Sequence, residues 1–228
     1  MDRLLQGVQI RINDKLFLKD PESSELGKKI IEISIQMINE MGSESFTFKK
    51  LGKSIGSNES SIYRYFENKH KLLLYLASWY WSWLEYQLVF ATNSIKNPKE
   101  KLLESILIIT REIKEDSAFS HINEVLLNKI VINEYSKSYL TKEVDEENKE
   151  GYFVIYKRLV SRLRDMIKEV NPGYVYPSSL ASTILESGLH QHFLKDHFSS
   201  LTDCNDNVTP TEYLTHLVFN TLNQNLNE

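Results

Sequence analysis

The chain has 228 residues, 41% of them hydrophobic and 25% charged, enough for one large domain or two small ones with a real core. Gly and Pro are sparse, at 8 and 5, while Leu, Ile, Lys, Glu and Ser dominate, a balance that favours an all-α protein. A single Cys204 excludes an intramolecular disulfide. With no charged-then-apolar leader and no apolar run near the roughly 18 residues of a membrane span, the expectation is a cytoplasmic protein with no membrane partner.

The net charge of −4 argues by itself against a nucleic-acid binder, but the charge is unevenly spread. Residues 1–72 carry 12 Lys and Arg against 10 Asp and Glu, while the remainder carries 15 against 21. Within 46–71 the balance is 6 against 2. A basic end on an acidic body suits a protein that touches phosphates with one end only.

In residues 1–19, Val8, Ile10 and Ile12, then Leu16 and Leu18, alternate with polar residues about Asn13-Asp14, the pattern of a small β-hairpin. Arg3, Arg11, Lys15 and Lys19 could instead make a basic arm reaching DNA; an extension clasping its own domain is the favoured alternative. Asp20-Pro21 is a helix start, and Gly42 ends that helix after Met41. Its apolar stripe is Ile30, Ile31, Ile35, Met37, Ile38 and Met41.

Thr47 can cap the next helix, with Phe48, Leu51 and Ile55 on its apolar side and Gly56 closing it. Asn58 then caps a short helix in which Ile62 and Phe66 face inward, four apart. Glu59, Ser60, Ser61, Tyr63, Arg64 and Tyr65 are left at or near the surface. That density of hydrogen-bonding groups on about two turns, following a short helix and a turn, is the spacing of a helix-turn-helix whose second helix enters the DNA major groove.

A long aromatic helix follows from Asn68 to about Asn93, with Tyr75, Trp79, Trp83 and Tyr86 on one face. Core packing is the favoured role of that face, and a ligand-stacking wall the alternative. Asn97-Pro98 opens a helix carrying Leu102, Leu103, Ile106, Ile109 and Ile113. A shorter one is expected over 118–134, then a long one from Ser138 to Val170, ended by Asn171-Pro172-Gly173. The last two helices, Pro177 to about Phe198 and Thr209-Pro210 to about Asn225, are apolar on more than one side. Leu180, Ile184, Leu185, Leu189 and Phe193 on one, and Tyr213, Leu214, Leu217, Val218, Phe219 and Leu222 on the other, fit a homodimeric four-helix interface.

The segment Leu51-Gly52-Lys53-Ser54-Ile55-Gly56 and the run Ser61-Ile62-Tyr63-Arg64-Tyr65-Phe66-Glu67-Asn68-Lys69, with Leu72-Leu73 following, resemble the TetR family of bacterial transcriptional regulators. The apolar helix ending Glu40-Met41-Gly42 and the pair Phe46-Thr47 extend the likeness over about 27–76. Ser57, where the family usually places a small apolar residue, and Glu59, at a position often basic or neutral, depart from the pattern. The resemblance implies an all-α chain in three parts: an N-terminal extension (1–20), a three-helix DNA-binding head (21–72), and a larger helical domain for effector binding and dimerisation (73–228). Thr47, Tyr65 and Lys69 would touch phosphates, with Lys49 and Lys50 placed for backbone or base contact. Asn58, Glu59, Ser60, Ser61, Tyr63 and Arg64 would lie at the groove. Arg64 could bond a guanine edge and Glu59 accept from cytosine, the alternative for Arg64 being an ion pair with Glu67.

The partners expected are double-stranded DNA, a second copy joined through the last two helices, and an apolar or aromatic small-molecule effector that releases a repressor from its operator. In a dimer the heads must sit about 34–36 Å apart, one helical turn, so an effector preferring another spacing weakens DNA binding. Candidate effector residues are Tyr75, Trp79, Trp83, Phe119, His121 and Tyr156, equally consistent with core. His190, His192, His197 and Asp196 do not make a metal set by spacing, and no cofactor or metal is expected. No nucleophile–base set marks an enzyme. The remaining alternative is an architectural DNA-binding protein without an effector.

Overall fold

The computed structural model describes residues 10–113 and 121–223, the side chains of Tyr135 and Ser136 excepted. Among these residues there is no strand. The helices are α1 (Glu25–Ser45), α2 (Phe48–Ile55), α3 (Glu59–Tyr63), α4 (Lys69–Thr92), α5 (Pro98–Thr110), α6 (Glu124–Tyr139), α7 (Val144–Lys149), α8 (Val154–Val170), α9 (Pro177–His197) and α10 (Pro210–Asn223). By internal contacts the chain divides into two units, Met1–Ser82 with Ile113–Ile155, and Trp83–Glu112 with Tyr156–Glu228.

In the first unit α1 packs against α2, α6 and a 3-10 turn at Pro21–Ser23. Asp20 caps that turn and Ser24 caps α1, so the Asp20-Pro21 start signal belongs to the turn, and the helix proper begins four residues later. Gly27 permits this junction, because a Cβ there would lie 2.2 Å from the Pro21 carbonyl oxygen. The helix breaks at Gly42, whose φ of 74° and ψ of 157° are not helical, and a last turn runs on to Ser45. Ile30, Ile31, Ile35, Phe46, Leu51, Ile62, Phe66 and Leu72 are fully buried and form the core of this end.

Where a hairpin was one expectation for the first residues, 10–19 hold a 3-10 turn at Asp14–Leu16 instead. Leu16 is buried, and the Leu18 N–H donates to the Tyr65 carbonyl at 2.7 Å. Lys15 pairs with Glu150 at 2.6 Å. Of the alternating apolar residues only Leu16 is buried among those described, Leu18 is exposed, and Val8 lies outside the described residues.

The helix expected over 118–134 is α6, and it runs on to Tyr139. The single helix expected over 138–170 is instead broken. Gly151 adopts φ 81°, a left-handed conformation that ends α7 and lets α8 start afresh.

In the second unit α5, α9 and α10 pack on one another. Leu102, Ile106 and Ile109 of α5 are buried, but Leu103 is 44% exposed, off the stripe assigned to it. Gly188 allows close approach of α9 to α5, since a Cβ there would lie 3.1 Å from a Thr110 methyl. The Thr110 hydroxyl donates to the Ile106 carbonyl at 2.7 Å and lies 2.8 Å from the Thr211 hydroxyl, and the Thr110 carbonyl lies 2.8 Å from His192 Nε2. Within the described residues no helix is long and apolar enough to cross a membrane, and no three His, Cys, Asp or Glu side chains are grouped as metal ligands.

Candidate nucleic-acid interface

The α2–α3 pair is fixed by local chemistry. Thr47 accepts from the Lys50 N–H at 3.2 Å and so caps α2. Gly56 closes that helix with φ 70°, a backbone state that costs glycine little and other residues more. The helices then approach so closely that a Cβ on Gly52 would lie 3.1 Å from the Ser57 carbonyl oxygen. Asn58 caps α3, its Oδ1 accepting from the Ser61 N–H at 2.8 Å, the Ser61 hydroxyl at 2.8 Å and the Ser60 hydroxyl at 2.7 Å. Ile62 and Phe66 face the core as their spacing requires.

Thr47, Lys49, Lys50, Asn58, Ser60, Tyr63 and Arg64 are exposed, and Glu59, Ser61 and Lys69 are half-buried. Tyr63 is 46% exposed; its ring meets Phe48 edge-on at 5.0 Å, and its hydroxyl lies 3.5 Å from Glu59. The packing aims the phenol outward beside a carboxylate. Among the described residues no ion pair joins Arg64 to Glu67, and Arg64 is exposed at the C-terminal cap of α3.

Two placements differ from the sequence reading. Tyr65, expected at or near the surface, is only 3% exposed. Its hydroxyl lies 2.7 Å from the Ser24 hydroxyl and accepts from Lys19 at 3.3 Å, with the Lys19 ammonium 5.0 Å from the ring centre. The Ser24 hydrogen bond first, then Lys19, holds its phenol below the ordinary value. Arg64 keeps helical backbone angles and the Phe66 N–H donates to the Ile62 carbonyl, so Tyr65, three residues after buried Ile62, falls on the inward side and meets the start of α1.

The lysines also differ in kind. Lys49 is exposed, but Lys50 donates to the Ser45 carbonyl at 2.7 Å. Lys69 donates to the carbonyls of Ser43 at 2.6 Å and Glu44 at 3.4 Å. An ammonium has three donors, so Lys69 keeps one beyond these two carbonyls. Lys29, which the sequence did not single out, donates to the Ile55 carbonyl and caps the C-terminus of α2.

The residues proposed for an effector are mostly core. Tyr75, Trp79 and Trp83 are buried. The Tyr75 ring packs edge-on against Phe17 and Phe66, and burial, with Glu22 and Asp20 nearby, pushes its hydroxyl far above the ordinary value. His121 Nε2 lies 2.9 Å from Glu22, and Tyr156 donates to Glu186 at 3.1 Å. Phe119 lies outside the described residues. A cavity of about 460 Å³ lies elsewhere in the second unit, lined by Gln191, Thr202, Cys204, Glu212, Tyr213 and His216 among others.

A capped short helix, closely packed on its predecessor and rimmed by hydroxyls, an arginine and lysines, defines a helix-turn-helix DNA-binding protein. Residues 30–76 match the model of the family described as bacterial regulatory proteins, tetR family. The fold of the chain is shared by AibR, solved in complex with isovaleryl coenzyme A and operator DNA, at 18% identity and a TM-score of 0.58 over 84% of this chain and 98% of that one. It is shared too by PfmR, a TetR family transcriptional regulator from Thermus thermophilus, at 16% identity and TM-score 0.54, covering 85% and 96%. The ketosteroid transcriptional regulator KstR2 of Mycobacterium tuberculosis matches at 14% identity and TM-score 0.54, covering 94% and 96%. At these identities the likeness is one of fold. No curated protein matches the sequence.

Proposed function

We propose that the chain is a tetR-family regulator, a dimeric repressor that reads its operator through α3 and is released by a small molecule. The observation that carries the DNA reading is the exposed setting of Tyr63, backed by Phe48, and of Arg64, with exposed Lys49 in the same helix pair and a half-buried Lys69 in the helix that follows. Lysines supply salt-dependent affinity and the α3 side chains supply sequence choice. Thr47 and Lys49 are assigned to phosphates, and Asn58, Glu59, Ser60 and Ser61 to the groove wall. The Ser60 and Ser61 hydroxyls donate to Asn58 and therefore offer lone pairs to a base amine. Lys50 and Tyr65 are assigned to holding the element rather than touching DNA, because their polar ends are engaged by Ser45, Ser24 and Lys19.

Dimerisation is assigned to α9 and α10. Leu180, Ile184, Leu185, Leu189, Leu214, Val218 and Leu222 are buried within the chain, while Phe193, Leu217 and Phe219 stay half-exposed and Tyr213 is exposed. A second copy would cover that side. The effector is assigned to an organic molecule bound by the helical domain, apolar or aromatic in its main part. Acyl thioesters are the first class to test, since AibR was solved with isovaleryl coenzyme A.

The test is selection of a duplex from a randomised library by the wild-type protein, followed by anisotropy titration of variants. Arg64→Ala is expected to weaken the selected site by about 1–3 kcal/mol and relax preference at one base pair. Equal enrichment of all sequences by the wild type would favour the architectural alternative.

A further inference from the structure

Beyond Gly42 the last turn of α1 starts anew, with the Phe46 N–H donating to the Gly42 carbonyl. Ser43 then stands at a helix start, where an N–H has no acceptor within its own turn. The acceptor comes from α6, 91 residues away in sequence. The Ser43 N–H donates to Glu134 Oε1 at 3.0 Å, and the Ser43 hydroxyl donates to Glu134 Oε2 at 2.6 Å. Both residues are buried. Lys137 closes the group, lying 3.0 Å from Glu134 Oε2 and 3.1 Å from Glu44 Oε1. Burial pushes the Glu134 carboxyl up, but the hydroxyl and amide of Ser43, with Lys137, outweigh it and hold the group below the ordinary carboxylate value. The carbonyl of this same Ser43 takes the Lys69 ammonium at 2.6 Å. A carboxylate on α6 therefore grips the residue whose other end seats the lysine that opens α4.

We propose that Glu134 is a positioning residue for DNA binding: by its two-pronged hold on Ser43 it fixes the carbonyl that aims Lys69 at a phosphate. This rests on the assignment of Lys69 to the DNA interface. It ties α6 to that interface, separately from the α4 backbone. A carboxylate suits the task because it accepts from two donors at once, and a bond to a charged group is stronger than one between neutral groups.

The test uses a fluorescein-labelled duplex selected by the wild-type protein and measures affinity as a function of salt. Glu134→Gln keeps shape but loses charge and part of the two-pronged hold. It is expected to bind about tenfold more weakly, with the slope of log K against log salt reduced by about 0.9, the share of one phosphate contact. Lys69→Ala is expected to show the same slope loss. In the Lys69→Ala background, Glu134→Gln should change affinity by less than about twofold, since coupled residues are not additive. Melting followed by circular dichroism checks that each variant folds. Should Glu134→Gln not fold, Ser43→Ala, which keeps the N–H bond and loses the hydroxyl one, must show a reduced slope in its place. A wild-type slope in the folded variant, or a Glu134→Gln loss that adds in full to that of Lys69→Ala, overturns the proposal while leaving the DNA-binding reading intact. Failure of the wild type to select or bind any duplex removes both.

Discussion

Glu85 lies buried on α4 beneath two half-exposed arginines of α8. Arg158 donates through Nε to both carboxylate oxygens, at 2.7 and 2.8 Å, and through a terminal nitrogen to Oε2, and Arg162 adds a fourth bond at 2.6 Å. Burial raises the Glu85 carboxyl, but Arg158 and then Arg162 outweigh it and leave it below its ordinary value of 4.5. A carboxylate depressed in the folded state contributes stability that is present above the unfolded value and is lost as pH falls through the folded one. Glu85→Gln should therefore lower the unfolding free energy from urea titration at pH 7 by about 1–2 kcal/mol, since half-exposed guanidiniums rehydrate more cheaply than buried ones. The gap to wild type should narrow steadily below pH 4.5. A gap that persists at pH 2 would refute this account. Nothing in the sequence pairs Glu85 with residues 73 and 77 positions away; only packing of α8 against the end of α4 does so.

At the scale of elements, starts were legible where the cap is local. Thr47, Asn58, Asn68 and Asn97 each accept from a backbone N–H two or three residues on, and the helices begin beside them. Breaks were harder. Gly42 and Gly56 were seen because each ends an apolar stripe, but Gly151 sits in a polar stretch with no stripe to interrupt, so 138–170 looked continuous. With φ 81° at that glycine, Gly151→Ala is expected to cost about 1 kcal/mol. Gly173 has ordinary φ and no contact closer than 3.5 Å, so Gly173→Ala should be neutral or stabilising by about 0.5 kcal/mol. Equal effects of the two substitutions on the thermal midpoint would contradict this assignment of the break.

For the whole molecule, the half-exposed side of α10 leads to a prediction about assembly. The wild type should sediment at twice the 26.7 kDa chain mass, and Leu217→Glu at the single-chain mass, with its helical content kept. In the dimer proposed through α9 and α10 that interface would set the spacing of the two heads, so the same variant should lose affinity for a two-half-site duplex while binding an isolated half-site as wild type does. An undiminished dimer would move the interface elsewhere.

The sequence by itself determined the all-α class, the capped pair over 46–66 and the family resemblance, because helix periodicity, caps and a left-handed glycine are properties of neighbouring residues. It also located the outward residues of α3, since two inward positions four apart fix the opposite face. Tertiary structure decided which polar groups remain available to a partner. Tyr65 turns back to Ser24 and Lys19, Lys50 holds Ser45, and Lys69 reaches Ser43, whose N–H is held by Glu134 from far along the chain. A side chain's type says what it can bond, but its partner is set by which helices pack together. A buried donor without an acceptor is costly enough that packing must supply one, however distant in sequence.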